Sequence, residues 1–259
     1  MDRRLHMAQR AARAAGTLLR QMLGTHMQVR AKDVRSNLVT EADTRSESLI
    51  RTMIAEEFPD DAILGEEGGA TRGSGAGHWI VDPLDGTTNF AHGYRCFSVS
   101  IACEFDGAVQ AGAVYDPMAD EMYLAQRGNG ATCNGNALAV SAVSDLRDAL
   151  LVTGFPPLSA DGSIANLPIM EQFMRRGQAV RRDGSAALDL CYVAAGRFDG
   201  FWEAGLHAWD IAAGALIVEE AGGRVTDYSG RPLRLDGGQL LASNGIVHTA
   251  MMDTLDGKT

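Results

Sequence analysis

Lysine is nearly missing from this chain. Of its 23 basic residues only Lys32 and Lys258 are lysines; the others are arginine. The one stretch with P-loop character, Gly257-Lys258-Thr259, lacks the upstream glycine of that motif, which excludes a P-loop nucleotide site. Cysteine is also sparse. Cys96, Cys103, Cys133 and Cys191 are widely spaced and form no C-x-x-C, so zinc ribbons and thioredoxin-type redox sites are unsupported. They read as reduced thiols of a cytoplasmic protein. No G-x-S-x-G is present for a serine nucleophile elbow. None of the six histidines belongs to a H-E-x-x-H zinc motif. The N-terminus has no continuous apolar h-region, and no apolar run reaches the length of a membrane span. Positive charge is in deficit: the net charge of −10 argues against nucleic acid as a main partner and suits a protein that gathers carboxylates around cations.

What is present is ordinary globular composition, 46% apolar and 22% charged, over a length that buries a large core. One stretch stands out: Trp79-Ile80-Val81-Asp82-Pro83-Leu84-Asp85-Gly86-Thr87-Thr88-Asn89-Phe90. An apolar strand runs into two carboxylates three positions apart, with proline between them and glycine after. A turn there brings both carboxylates into one volume, where two such charges about 4 Å apart repel by roughly 4 kcal/mol at an effective dielectric near 20. A divalent cation reverses the sign, and oxygen-only ligands suit Mg²⁺. A helix beginning at Gly86-Thr87-Thr88 adds backbone N–H groups for an anion. Taken alone, the same residues also fit a surface turn.

Along the chain, Leu5, Ala8, Ala12, Ala15, Leu19 and Met22 predict an amphipathic helix ending near Gly24. Residues 30–37 read as a mobile loop. Thr44 with Glu47 forms a capping-box pattern for a second helix, whose apolar face is Leu49, Ile50, Met53, Ile54 and Phe58. Residues 62–65 read as a short strand and the glycine-rich 69–77 as plain loop. Residues 96–133 alternate as antiparallel sheet, with a hairpin turn at Asp106-Gly107. Further on, strands at 150–152, 198–202, around Val225 and at 240–241 alternate with helices expected over 168–175, 185–195 and 211–221. The reading is an N-terminal α+β half over 1–147, carrying most of the acidic motifs, and a C-terminal α/β half over 148–259.

Acid groups beside strand ends or helix starts recur at Asp43, Glu66, Asp82, Asp85 and Asp210. Each has a structural alternative. Asp43 completes a capping box with Thr40, Glu66 is a solvated loop charge, and Asp210 is a helix cap. Their combination resembles the inositol monophosphatase family of Mg²⁺-dependent, lithium-sensitive phosphatases. The resemblance rests on 79–90, on Trp209-Asp210-Ile-Ala-Ala-Gly-Ala-Leu-Ile-Val-Glu-Glu-Ala-Gly-Gly, on Leu38-Val39-Thr40-Glu41-Ala42-Asp43 and on Glu66-Glu67.

The resemblance implies a layered α-β-α-β-α sandwich of the inositol monophosphatase and fructose-1,6-bisphosphatase type, in a homodimer. It implies a first metal at Glu66, Asp82, the Leu84 carbonyl and Thr87, a second at Asp82, Asp85 and Asp210, and a third, hydrated one reached by Glu66. Asp43 would hydrogen-bond Thr87. Lys32, Asp85, Gly86, Thr87 and Thr88 would face the phosphate. Gly184, Ser185, Ala186 and Glu203 would line the hydroxyl-bearing part of the substrate, with His207 at its edge. The implied reaction is hydrolysis of inositol monophosphates by metal-activated water, with Asp43, Glu66 and Thr87 handling the water. Related substrates are 3′-phosphoadenosine 5′-phosphate, histidinol phosphate and fructose 1,6-bisphosphate. The reading from a different class is a non-catalytic, partner-binding protein on the same fold.

Overall fold

The apolar repeat at the N-terminus becomes α1 (Arg3–Met22), with Leu5, Ala8, Ala12, Ala15, Leu19 and Met22 on its buried face and Gly24 beyond it at φ +75°. The computed structural model describes residues 3–25, 29–31, 38–155 and 166–257. A small antiparallel pair, β1 (Val29–Ala31) and β2 (Leu38–Thr40), leads into α2 (Glu41–Glu57). This helix starts earlier than Thr44. Thr40 is its N-cap and Asp43, not Glu47, completes the capping box. Both T-x-x-D and T-x-x-E occur here, and Glu47 is instead taken up by the Glu67 and Gly68 N–H groups.

The first large sheet follows. Its strands are β3 (Ala62–Gly65), β4 (Gly69–Ala70) and β5 (His78–Asp85), then, after the five-residue α3 (Thr87–Ala91), β6 (Ser98–Phe105), β7 (Ala108–Asp116), β8 (Glu121–Gln126), β9 (Ala131–Cys133) and β10 (Asn136–Ala137). Their spatial order is β10-β9-β8-β7-β6-β5-β3-β4, antiparallel except for β3 beside β5. Part of the glycine-rich loop thus supplies an edge strand. Asp106 and Gly107 both take positive φ in the β6–β7 hairpin, as the Asp-Gly pair predicts.

The second sheet contains β11 (Leu150–Thr153), β12 (Ala179–Arg181), β13 (Gly200–Ala204), β14 (Arg224–Thr226) and β15 (Gln239–Ser243), in the order β12-β11-β13-β15-β14. Between them run α4 (Leu167–Arg176), α5 (Ala186–Ala194) and α6 (Ala208–Glu220), and α7 (His248–Leu255) follows β15. Expected helices 168–175 and 185–195 appear within a residue or two. The third begins three residues before Ile211. The strands β4, β10 and β12 and the helix α7 lie outside the expected elements; all four are short and without clear periodicity.

Helices α1 and α2 cover one face of the first sheet, α5 and α6 lie between the two sheets, and α4 and α7 cover the outer face of the second. This is the α-β-α-β-α sandwich. The middle layer is one apolar cluster joining Ile80, Ala102 and Val114 to α5, α6, Val152 and Phe201. At one point α6 presses so close to the first sheet that a Cβ on Gly112 would lie 3.1 Å from the Ala213 Cα and carbonyl oxygen.

Candidate metal and phosphate site

The site grows from an irregularity in β5. Trp79 and Val81 face the α1–α2 core, whereas Ile80 faces the middle layer, as strand alternation requires. Asp82, two positions from Ile80, therefore points with it toward α6. Asp85 is an odd number of residues further and would face the opposite side on a regular strand. The pairing moves from Asp82↔Ser100 to Asp85↔Ser98, three residues against two, so one extra residue is bulged out at Pro83-Leu84. The bulge flips the alternation. Leu84 joins Trp79 and Val81 in the α1–α2 core, and Asp85 shares the side of Asp82. Proline is tolerated because a bulge needs no ladder donor there.

Gly86, at φ +100°, turns the chain into α3; a Cβ there would meet the Cys96 carbonyl at 2.9 Å. The Thr87 hydroxyl lies 2.8 Å from Asp43 Oδ1 and 3.1 Å from the Leu84 carbonyl. Asp43 is fully buried, and its other oxygen accepts the Thr40 backbone N–H (2.8 Å) and hydroxyl (2.5 Å). The capping-box reading of Asp43 and its link to Thr87 are both realised, one on each oxygen. Burial raises its pKa against these hydrogen bonds.

Asp85 Oδ2 accepts the Ser185 hydroxyl at 2.5 Å and the Ala187 N–H at 2.8 Å, so the start of α5 holds it. Asp210 is the third residue of α6, not its N-cap, and reaches back to the His207 N–H at 2.7 Å. Asp82 Oδ1 accepts the Leu84 N–H at 3.0 Å. Burial, then the charges of Glu66, Asp85 and Asp210, push Asp82 well above the usual carboxylate range. Burial raises Asp85 to about 6, and burial with Asp85 raises Asp210 to about 8.

Above these acids opens a cleft of about 410 Å³. Glu66, Asp85 and Asp210 line it together with Gly184, Ser185, Ala186, Glu203, Arg182, Phe155 and Trp209. Glu203 is buried on β13 and pushed up to about 8 by burial and by Asp210 and Asp85. Its carboxylate lies where a Cβ on Gly154 would stand, 2.1 Å from Oε2. His207 stacks on Trp209 at 4.7 Å at the rim. Thr88 is exposed on α3 and does not line the cleft. Lys32 lies outside the described residues.

The cleft residues absent from the sequence reading are Gly154, Phe155, Arg182, Gly205 and Leu206. Only Arg182, in an Arg-Arg-Asp-Gly run before Ser185, left a visible signal.

Among the described residues, no three Cys, His, Asp or Glu side chains already stand in metal-ligating geometry. The donor chemistry nevertheless fits a hard cation. The acids that converge offer only oxygen, and Glu66, Asp85 and Asp210 each raise the pKa of Asp82. Among the described residues, Arg182 is the only lysine or arginine lining the cleft. All four cysteines are free thiols, Cys103 and Cys191 buried. No described helix is long and apolar enough to cross a membrane.

The sequence profile of the inositol monophosphatase family matches residues 1–257. A Pseudomonas aeruginosa protein named Nus factor SuhB is 44% identical, over 98% of this chain and 96% of its own. An inositol-1-monophosphatase of Mesorhizobium japonicum is 43% identical, over 96% and 94%. The crystal structure of extragenic suppressor protein suhB from Bartonella henselae superposes with a TM-score of 0.93 at 39% identity, covering 98% of both chains. On the profile match and these identities, the chain belongs to the inositol monophosphatase family, a family of generally Mg²⁺-dependent phosphatases.

Proposed function

We propose that this protein is a Mg²⁺-dependent phosphomonoesterase that hydrolyses inositol monophosphates to inositol and phosphate. The observation that carries the reading is the convergence of buried Asp82 and Asp85 with Glu66 and Asp210, like charges that act on one another, at a cleft that Gly184, Ser185, Ala186 and Glu203 also line. Glu66, Asp82, the Leu84 carbonyl and Thr87 would hold one Mg²⁺, Asp82, Asp85 and Asp210 a second, and Glu66 a third. When bound, Mg²⁺ supplies positive charge to the phosphoryl oxygens and lowers the pKa of water.

The protein's own groups then do the following. Thr87 commits its single hydroxyl hydrogen toward Asp43, leaving its lone pairs to accept a hydrogen from the attacking water. Asp43, raised by burial, accepts the relayed proton. Gly86 and Thr87 present backbone N–H groups to the phosphate. Glu203, protonated near neutrality, both donates and accepts, as a sugar-like hydroxyl does. Gly184, Ser185 and Ala186 shape that side of the cleft around a small polyol. We place the enzyme in the cytoplasm as a homodimer.

The test is phosphate release by pure protein from inositol 1-phosphate, 3′-phosphoadenosine 5′-phosphate, histidinol phosphate and fructose 1,6-bisphosphate, with and without Mg²⁺. Inositol 1-phosphate is expected to turn over fastest, only with Mg²⁺, and with inhibition by millimolar lithium. Faster release from another substrate overturns the substrate assignment.

The second reading, a partner-binding role on the same fold, is favoured by the relative named Nus factor SuhB. Folded protein that releases phosphate from no panel member would decide for it.

A further inference from the structure

Helix α2 touches the acidic cluster three times from one face. Asp43 holds Thr87, the buried Ser46 hydroxyl donates to the Pro83 carbonyl at 2.8 Å, and Glu47 grips the turn after Glu66. Positions 43, 46, 47 and 51 lie on one stripe of a helix. Glu47 is only 3% exposed. Its Oε2 accepts the Glu67 N–H at 2.7 Å, and its Oε1 accepts the Gly68 N–H at 2.8 Å and Arg51 Nε at 2.6 Å. Arg51 in turn donates to the Gly69 carbonyl. Two glycines flank this grip for a steric reason: a Cβ on Gly65 or on Gly68 would lie 2.6 Å from Glu47 Oε1.

We propose that Glu47 is a positioning residue for metal binding: by fixing the backbone of 67–68 from α2, it sets where Glu66 enters the cleft. The proposal rests on the reading of Glu66 as a metal ligand. Both Glu47 oxygens accept N–H groups, so glutamine cannot replace it without turning its own NH₂ toward a donor and releasing one side of the turn. Glu66 then keeps its N–H bond to the Val81 carbonyl, 3.3 Å, on one side and loses the anchored turn on the other, while the rest of the fold, held elsewhere, persists. Partners that orient a ligand typically carry about 10–100-fold of metal affinity.

Mn²⁺ binding to the full-length protein, followed by titration calorimetry and electron paramagnetic resonance, tests this without reference to turnover. Glu47→Gln is expected to weaken Mn²⁺ binding by about tenfold or more. Gly68→Ala, which crowds the same carboxylate from the other side, is expected to do the same. Asp199→Asn, which disturbs a buried carboxylate remote from the cluster, lowers Tm and leaves Mn²⁺ affinity unchanged. In a Glu66→Gln background, Glu47→Gln should cause no further loss, the non-additivity expected of residues acting through one another.

If Glu66→Gln weakens Mn²⁺ binding and neither Glu47→Gln nor Gly68→Ala does, the positioning role is wrong. If Glu66→Gln itself binds as wild type, the ligand assignment fails instead. Should Glu47→Gln fail to fold, Gly68→Ala and Glu47→Asp decide the matter by the same readout.

Discussion

Two groups of buried carboxylates face each other across β5, and the chain treats them in opposite ways. On the α2 side, Asp43 and Glu47 each collect three or more hydrogen bonds from backbone and side-chain donors. On the cleft side, Asp85 is held by Ser185 and Ala187, but Asp82 has one backbone donor and its neighbours include Glu66, Asp85 and Asp210. The first arrangement is complete by itself. The second concentrates like charge, which a fold keeps only if something of opposite sign is to enter. Burial therefore does not identify a functional acid; the company it keeps does.

The sharpest way to break this contrast is to neutralise one member of the cleft group. Asp85→Asn should lower phosphate release by roughly 10³-fold, the scale set by losing a transition-state charge partner. Tm should barely change, because the repulsion it relieves offsets the hydrogen bonds it weakens. Activity close to wild type would mean that Asp85 holds no metal.

The next effect is thermodynamic. Adding Mg²⁺ to chelator-treated protein should raise unfolding free energy by about 2.7 kcal/mol at a hundredfold excess over Kd. The same addition to Asp85→Asn should give much less, measured by thermal denaturation.

Asp189 sharpens the contrast from a third direction. It is buried in α5, and among the described residues neither of its oxygens has a hydrogen-bond partner. Burial, then Asp183, Glu203 and Asp85, hold its pKa well above 3.8. A raised carboxyl binds its proton in the folded chain after the unfolded chain has released it, so its stability contribution is lost as pH rises above about 4. Asp189→Leu should therefore stabilise the protein by about 1–3 kcal/mol, the usual cost of an unsatisfied buried polar group, and more at pH 8 than at pH 5. Destabilisation at pH 8 would show that Asp189 has a partner.

The smallest effect expected is from His248, fully buried between the Thr226 and Ser243 hydroxyls at 2.9 and 2.8 Å. Burial and Arg224 lower its pKa to about 4. The unfolded imidazole protonates near 6.5, so stability is lost as pH falls from about 6.5 toward 4. His248→Gln should flatten that part of the Tm–pH curve; an unchanged slope would assign the acid limb to other groups.

Much of this was legible in the sequence because the motif residues sit at element ends that glycine and proline mark. The strand before Asp82, the Asp106-Gly107 hairpin and the helix before Gly196 all announce themselves locally. The bulge at Pro83-Leu84 does not: the motif predicts a turn, and only the register against β6 shows that strand pairing continues through it. The start of α2 was ambiguous for the same reason. Two capping boxes fit, and the choice depends on Glu67 and Gly68, twenty residues away in the chain. Gly154 and Arg182 reach the cleft from β11 and β12, strands whose neighbours no local pattern reveals. Asp189 was hidden in an apolar helix, where one acid does not disturb the period.

The close approach at Gly112 has a consequence for the cleft. Ala213 is three residues beyond Asp210, less than one helical turn and about 4.5 Å along the axis. The thickness of the sandwich at that one contact thus meters how far the end of α6 can lean in. A single methyl placed on β7 would act as a shim and draw Asp210 back from Asp82.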